Sequence, residues 1–554
     1  MSSGRQSRPS GDQAGAVTSV VNINDVLEGH VSLDLACIDR LYLNAYVPNL
    51  QVGGQVVQFL TQHLGFPIPS PALLEKIGNR FRREVKAFAA EHEIPILHLK
   101  KPDRTRWDDR KLDHVRPHLD AAEREGRFGV VAIVAAQEYQ WVYSAKNRAT
   151  KPGAVSFEFV KEDRRVGMYY FYVYDPEFGP GFVKICTYFP YPAKVWVNGH
   201  EWAKRQAARA GLESSALANG FSWCRDPVRL QAICDRLGPA DLQGFFDRTT
   251  ALIPTPFTQA DREAGYFWEL AMRQVEVSRT LVFDDPRRAR SFFEALVQDN
   301  VGIGRPEQVS MVFQRRLTRP TKHPYRQRVF STGTEVRIDF SYKHSRIKQY
   351  LKEGRALRIE TVVNKPNDLD VLARIEHLGE LVDKARQVND RLLMIERAGQ
   401  GCAIGSALFE RIHQPYAREG QRTGALRFGD QRAMALAGSL CLVVHAVTGF
   451  TNKSLRGLVA GLLGTDYSAS QMSYDLRRLR LHGLITRLPG TNTYVTTPEG
   501  IRVAVFYTKL RERLLAPLLD ADRPPAPIEL RRALGTVERH IGAYVEHARL
   551  GIAA

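Results

Sequence analysis

The pattern of apolar and polar positions divides the chain into stretches of different period. A helical repeat runs over 73–91 and stops before Pro95, and a short apolar run over 94–99 has the length of a buried strand. A highly charged stretch, 100–127, separates it from a second strand-like run at 129–135. This alternation predicts a partly parallel sheet. Beyond it, 168–174 and 182–197 read as strands joined by the turn Asp175-Pro-Glu-Phe-Gly-Pro-Gly181, which has the Pro and Gly chemistry of a hairpin loop. The period then becomes helical at 200–210 after Asn198-Gly199. Helical patterns continue at 226–237, 261–277 and 285–298, each opening near an Asp suited to an N-cap. Residues 336–342 alternate as a strand, 347–363 reads as a hairpin turning at Glu353-Gly354, and 368–396 is an amphipathic helical stretch.

The C-terminal third carries the most regular pattern. Residues 431–446 place Met434, Leu436, Leu440, Val443 and Val444 on one helical face, and a second helix opens at Thr451 or Asn452 and ends at Gly464. A third, after Ser468, sets Met472, Leu476 and Leu479 at i, i+4 and i+7 and stops at Gly483. Two short strands follow around the turn Pro489-Gly-Thr-Asn492, and Pro498 opens a final helix at a position where its missing N–H costs nothing. Three short helices followed by a hairpin, in the stretch SASQMSYDLRRLRLHGLITRLPGTNTYVTTPEG, resemble the winged helix-turn-helix superfamily, with regulators of the MarR type nearest in pattern. The resemblance covers roughly 85 residues and implies a third helix that enters the major groove and a wing that touches the backbone or minor groove. It makes Ser470, Gln471, Ser473, Tyr474 and Arg477 the base-facing candidates, with Arg478, Arg487 and Asn492 on phosphate or the groove edge.

Composition changes the picture in one respect. The 554 residues hold 78 Lys plus Arg against 60 Asp plus Glu, a formal charge of +18, which favours a polyanionic partner. The excess is concentrated: between Arg315 and Arg358 thirteen cations face three carboxylates. Six scattered cysteines give no zinc-ligand spacing, no apolar run is long enough to span a bilayer, and no nucleotide-binding fingerprint is present. The Ser/Gly/Arg-rich N-terminus has no apolar core of a secretory signal, so the expected location is cytoplasmic, without a membrane partner.

Candidate chemistry is sparser. Asp175 and Glu177, with Lys184 on the following strand, are carboxylates that could hold Mg²⁺ in a nuclease; the competing reading is an Asx-type turn with a solvated Glu177. His200 and Glu201 open a helix beside Lys204 and Arg205, as a general base or a phosphate contact. In YKHSRIKQYLKEGRALRIETVVN the cations Lys343, Arg346, Lys348, Lys352 and Arg358 interleave with Tyr342, His344 and Tyr350, a mixture that holds phosphates while rings stack on bases. The same run weakly resembles a strand pair of the rolling-circle replication initiators of plasmids and filamentous phages. That likeness would make Tyr350 a nucleophile and Glu360 a metal-holding carboxylate; the paired histidines of those enzymes have no counterpart, His98 being the sole candidate. Over most of its length the chain resembles a broad group of uncharacterised bacterial proteins, which supplies architecture and no activity.

The expected architecture is α+β and multidomain: a flexible tail (1–19), an N-terminal α/β domain (20–155), a central mixed α/β domain with a basic antiparallel sheet (156–425), a winged helix (430–520) and a C-terminal linker and helix (521–554). The expected function is binding of double-stranded DNA through the winged helix, with a second basic surface for single-stranded DNA or RNA, in a mobile-element or replication-associated role. The chain leaves room for a homodimer. Two alternatives stand beside this: a metal-dependent nuclease or nicking and replication-initiation enzyme, using Mg²⁺, and an RNA-binding or protein-interaction scaffold.

Overall fold

The computed structural model describes residues 27, 29–98, 107–148, 156–300, 326–332, 335–342, 344–399, 406–418, 420–441, 449–511 and short pieces of 532–543. The expected tail and most of the expected C-terminal segment lie outside these residues, as does Lys343.

Eleven strands form one mixed sheet. They are β1 (Val31–Tyr46), β2 (Ile96–His98), β3 (Gly129–Asn147), β4 (Phe157–Asp175), β5 (Gly179–Cys186), β6 (Ala193–Asn198), β9 (Glu269–Phe283), β10 (Arg326–Thr332), β11 (Glu335–Tyr342), β12 (Ser345–Lys352) and β13 (Ala356–Val363). A small separate hairpin, β7 (Ser214–Leu217) and β8 (Gly220–Cys224), lies between β6 and β9 in the chain. The spatial order is β10-β11-β12-β13-β9-β1-β6-β5-β4-β3-β2. Only β2 with β3 is a parallel pair; every other neighbouring pair is antiparallel. The sheet takes strands from both sides of residue 155, because β3 pairs with β4 along nearly its whole length and β1 lies between β9 and β6. The segments expected as two domains therefore share one sheet.

Register sorts the side chains of that sheet onto two faces, since partners in a ladder point the same way and successive residues alternate. One face carries Leu41 and Leu43 of β1, Val195 and Val197 of β6, Val183 and Ile185 of β5, Val275 and Val277 of β9, and Leu357 and Ile359 of β13. These are buried in one cluster with Phe81 and Val85 of helix α1 (Pro71–Glu91), and with apolar residues of further helices in chain order: α3 (Gly199–Arg209), α5 (Pro239–Leu252), α6 (Pro286–Asn300) and α7 (Leu378–Gly399). Helix α2 (Trp107–Glu125) lies on the opposite face, where Val115 and Leu119 pack on Tyr170 and Tyr172, and α4 (Pro227–Cys234) reaches β1 through Gln231, which bonds the Ala36 backbone. The opposite face is polar at its centre, where Glu276, Ser278 and Thr280 of β9 lie beside Arg358 and Glu360 of β13 and Lys348 and Tyr350 of β12.

Three expectations are corrected. Residues 261–277 do not form one helix: a short turn at Gln259–Glu263, capped by Thr258, ends at Gly265 (φ +89°) and the chain continues as β9. A central strand buried on both faces lacks simple alternation, so its apolar residues mimic a helical repeat. The stretch 368–396 begins as 3₁₀ turns around a left-handed Asp370, and α7 starts only at Leu378. The strand-like run at 129–135 continues to Asn147, and the charged stretch before it contains α2.

Beyond the sheet a second core holds α8 (Gln431–Leu440), α9 (Asn452–Leu463), α10 (Ala469–Leu481), the hairpin β16 (Ile485–Arg487)–β17 (Tyr494–Thr496) and α11 (Pro498–Leu510), with a small hairpin β14 (Tyr416–Arg418)–β15 (Gln421–Thr423) preceding it. Among the described residues no helix is long and apolar enough to cross a membrane.

Gly500 of α11 is pressed against β16: a Cβ there would lie 1.9 Å from the Leu484 carbonyl oxygen. Gly457 of α9 faces open space. Gly500→Ala is expected to lower unfolding free energy by roughly 1–3 kcal/mol, and Gly457→Ala to raise it by about 0.5–1 kcal/mol. Chemical denaturation of both variants checks this; equal effects would contradict the packing of α11.

Candidate functional site

The most elaborate polar arrangement sits at the centre of the sheet and is organised by Arg358, whose side chain is 0% exposed. Its guanidinium donates to Asp39 Oδ2 at 2.8 Å, Glu360 Oε1 at 3.3 Å, Thr280 Oγ1 at 3.0 Å and the Asn219 carbonyl at 3.0 Å. It also lies 2.6 Å from His200 Nε2. Arginine can only donate, so Nε2 of His200 is the lone-pair nitrogen and Nδ1, which has no partner, carries the proton. A register shift in β1 between Ile38 and Leu41 brings Asp39 into this group, and Asn219 in the β7–β8 turn donates to it at 2.6 Å. His200 is delivered by the first turn of α3, whose N-terminus is capped by Asn198.

Asp39, Glu276 and Glu360 bring one carboxylate oxygen each within 4.8 Å of one another, and all three are buried. Burial alone would raise the Asp39 carboxyl, but the Arg358 guanidinium beside it overrides this and holds it far below the usual carboxylate range. Glu276 goes the other way: burial pushes it up, and Lys348, 3.7 Å away, offsets this only in part. Lys348 also donates to Glu360 at 3.3 Å. Three carboxylates thus face two cations, the buried Arg358 and the half-buried Lys348. A divalent ion such as Mg²⁺ would need a near-octahedral oxygen shell with several waters, yet Arg358 and Lys348 already occupy the space between these oxygens. The set fits an ion-pair network and not Mg²⁺ coordination.

This centre gathers five residues singled out in the sequence, His200, Lys348, Tyr350, Arg358 and Glu360, and reassigns them. Tyr350 donates its hydroxyl to Glu360 at 2.6 Å, and burial together with that carboxylate pushes the phenol up, the wrong direction for a nucleophile. Arg358, expected on phosphate, is wholly internal. Lys348 is committed to Glu276 and Glu360, and Lys352 lies beside Glu353 with its ammonium lowered by burial. Of the five hairpin cations Arg346 is exposed, and Lys343 lies outside the described residues. Asp39, Glu276, Ser278 and Thr280 have no sequence motif; their one signal is polar residues recurring inside apolar strands.

The remaining carboxylates do not join this centre. Asp175 closes the β4–β5 turn, its Oδ1 accepting from the amides of Glu177 and Phe178 at 2.8 and 2.9 Å. Arg248 of α5 binds both Asp175 (3.1 Å) and Glu177 (3.3 Å). Lys184 points elsewhere, ion-paired with Glu138 and donating to Tyr170 at 2.9 Å, so Asp175, Glu177 and Lys184 form no metal site. Glu201 pairs with Lys204 at 2.7 Å, one turn along α3.

The second candidate surface belongs to the C-terminal elements. Asp430, Thr451, Ser468 and Thr497 each accept a backbone N–H at the start of α8, α9, α10 and α11. One face of α10, Met472, Leu476 and Leu479, is buried against Leu455 and Val459 of α9 and Ile501 of α11. Its other face leaves Ser470, Gln471, Ser473, Tyr474 and Arg477 exposed. Gln471 Oε1 accepts from the Ser468 amide, which leaves its Nε2 to the outside. Asn452 of α9 donates to Ser473 Oγ at 2.9 Å, and Arg477 meets Gln421 of β15 at 3.3 Å. Arg478 is turned inward to the Gly424 carbonyl and Asp475, and therefore anchors the helix instead of facing a phosphate. Asp475, the only carboxylate on α9 and α10, is itself buried beneath Arg432 and Tyr467, so the exposed surface of these helices carries positive charge alone. Arg487 donates to Asn492 Oδ1 at 2.7 Å and to the Thr491 carbonyl, bracing the tip of the β16–β17 hairpin where both side chains are exposed.

No protein-family model matches the chain, and no curated protein matches it either.

The central network yields opposite expectations for two of its members. Arg358→Met takes from the buried Asp39 its principal cation and should cost about 3–5 kcal/mol. Glu276→Gln keeps the Gln274 bond to Oε1 (2.7 Å) and removes a carboxyl whose proton is held more tightly in the folded than in the unfolded state. Wild-type stability should therefore fall as pH rises above the ordinary value of 4.5, and Glu276→Gln should not share that fall. Urea denaturation of both variants between acid and neutral pH tests this; a wild type and Glu276→Gln with parallel pH profiles would contradict it.

Proposed function

We propose that this protein binds nucleic acid and reads duplex DNA through the unit formed by α8 to α11, acting as a winged helix-turn-helix. The observation that carries the reading is the two-sided character of α10: one face seals the core, and the other presents hydroxyl, amide, phenol and guanidinium groups with no exposed carboxylate among them. Such a helix laid in the major groove offers Gln471 Nε2 and Arg477 to base edges, arginine pairing best with guanine, and Ser470 and Ser473 to either base or phosphate. The β16–β17 hairpin beside it offers Arg487 and Asn492 to the backbone or minor groove. Arg432 and Asp475 fix the pitch of α10 against α8, which is what holds the reading face in one orientation.

The nuclease reading gains no support from geometry. Arg248 neutralises Asp175 and Glu177, and Tyr350 and Glu360 are held in a closed ion-pair network.

A preferred duplex selected from a randomised library supplies the probe. Arg477→Ala should weaken its binding by about 1–3 kcal/mol and relax preference at one base pair. Arg487→Ala should weaken all duplexes alike and reduce the salt slope by about one. Titration by fluorescence anisotropy over a salt series reads both, with Arg225→Ala, remote on the β8 side, as the unchanged control. If Arg477→Ala and Gln471→Ala both bind as wild type, α10 is not the reader.

A further inference from the structure

Away from the Arg358 centre, the same polar face of the sheet holds a buried cation without compensation. Lys194 of β6 is 9% exposed, and among the described residues its Nζ has no hydrogen bond or ion pair; it lies over the Tyr42 ring, 5.8 Å from the centroid. Arg273 of β9, which is exposed, approaches the same ring at 5.8 Å. The carboxylate nearest in effect, Glu138 of β3, is already engaged by Lys184 and Tyr170. An ammonium held this deep without a partner is relieved by losing its proton or by gaining an anion.

Register places aromatic rings in the next row of the same face. Trp196 lies opposite both Tyr42 and Phe182, while Lys194 lies opposite Lys184 and Asn44. Phe182 and Trp196 are stacked, with centroids 5.9 Å apart and planes at 8°, and Tyr42 meets Phe182 edge-on at 6.2 Å. All three rings are half-buried and so retain open surface. Lys194 and Trp196 are two residues apart on one strand, about 7 Å, close enough to serve one nucleotide. Helix α2 covers this face at Tyr170 and Tyr172, and α3 with the β7–β8 turn covers it at Arg358; the strip lies between them.

We propose that this strip binds a single strand of nucleic acid, with a phosphate seated against Lys194 and Arg273 and a base stacked on the Tyr42, Phe182 and Trp196 rings. Charge complementarity selects a polyanion, and the paired cation and aromatic row select one whose bases are unstacked. A duplex keeps its bases paired away from a flat sheet. The site rests on the nucleic-acid reading above but not on α10.

The site also predicts a pH signature. Burial, followed by Lys184 and Arg273, lowers the Lys194 ammonium to about 7, while Glu138 and Cys186 act weakly the other way; with Tyr42 these are the charged and titratable groups that face it from β1, β3, β5 and β9. A bound phosphate restores the proton. Strand binding should therefore take up a proton above neutrality and weaken as pH rises through 7, by at most tenfold per unit.

The test is anisotropy with labelled oligothymidylate and oligouridylate, against the full chain and Lys194→Met, Trp196→Ala and Arg477→Ala. Lys194→Met removes a buried charge without removing bulk, so it should fold. It is expected to bind the strands about tenfold more weakly and with no pH dependence between 6.5 and 8.5, in line with one lost phosphate contact. Trp196→Ala should lose about five- to 150-fold, the range for one stacked base. Wild-type binding by both variants, or a pH profile unchanged in Lys194→Met, would overturn the proposal. Arg477→Ala should leave strand binding intact, so failure of the duplex reading and failure of this site give different results.

Discussion

The buried Arg358 guanidinium is the constraint around which the sheet is arranged. Its five contacts reach β1 through Asp39, β9 through Thr280, its own strand through Glu360, α3 through His200 and the β7–β8 turn through Asn219. A charge in such a place is tolerated only when nearly every donor is satisfied. That requirement fixes the register shift in β1, the entry of α3 at Asn198 and the position of the small hairpin together. It also explains why the β12–β13 hairpin, basic in sequence, is not a basic surface: its central cations are spent on the inside.

The polar face of the sheet is thereby divided. Around Arg358 it is sealed and nearly neutral, with one carboxylate more than its cations, and Glu276 is raised by burial first and by the neighbouring Asp39 and Glu360 after it. Further along, across β5, β6, β1 and β9, the balance reverses: Lys184 is paired with Glu138, and Lys194 and Arg273 both approach the Tyr42 ring. The two regions share strands and alternation, and differ only in which charges meet. A net charge of +18 is therefore a poor guide to where polyanions would bind. What matters is which cations are taken up by internal partners, as Arg358 and Arg478 are, and which are left facing outward, as Arg477 is on α10.

Legibility from sequence followed the range of the interactions. The helices from Gln431 onward were readable because capping residues, apolar spacing and terminal glycines are local signals, and the turn at Glu353-Gly354 was readable for the same reason. The strand β9 was not, since burial on both faces erases its alternation. Asp39 and Glu276 were invisible as partners because they meet Arg358 and Lys348 only through sheet pairing between segments far apart in the chain. Arg358 and Arg478 read as phosphate contacts because a cation in a basic stretch carries no mark of inward orientation; each is held by a distant acceptor, Asp39 or the Gly424 carbonyl. Lys194 gave no signal either, being one lysine in an otherwise apolar strand.

The central claim is that two separate surfaces bind nucleic acid, a reader helix for duplex and an aromatic, cationic strip for a single strand. Photocrosslinking with mass-spectrometric site mapping, on a duplex carrying a single-stranded extension, tests it most directly. The account predicts crosslinks from the duplex to residues 470–477 and 487–492, and from the extension to Tyr42, Phe182 and Trp196. Crosslinks from both parts to the β12–β13 hairpin around Arg346, with none at Trp196 or on α10, would contradict it.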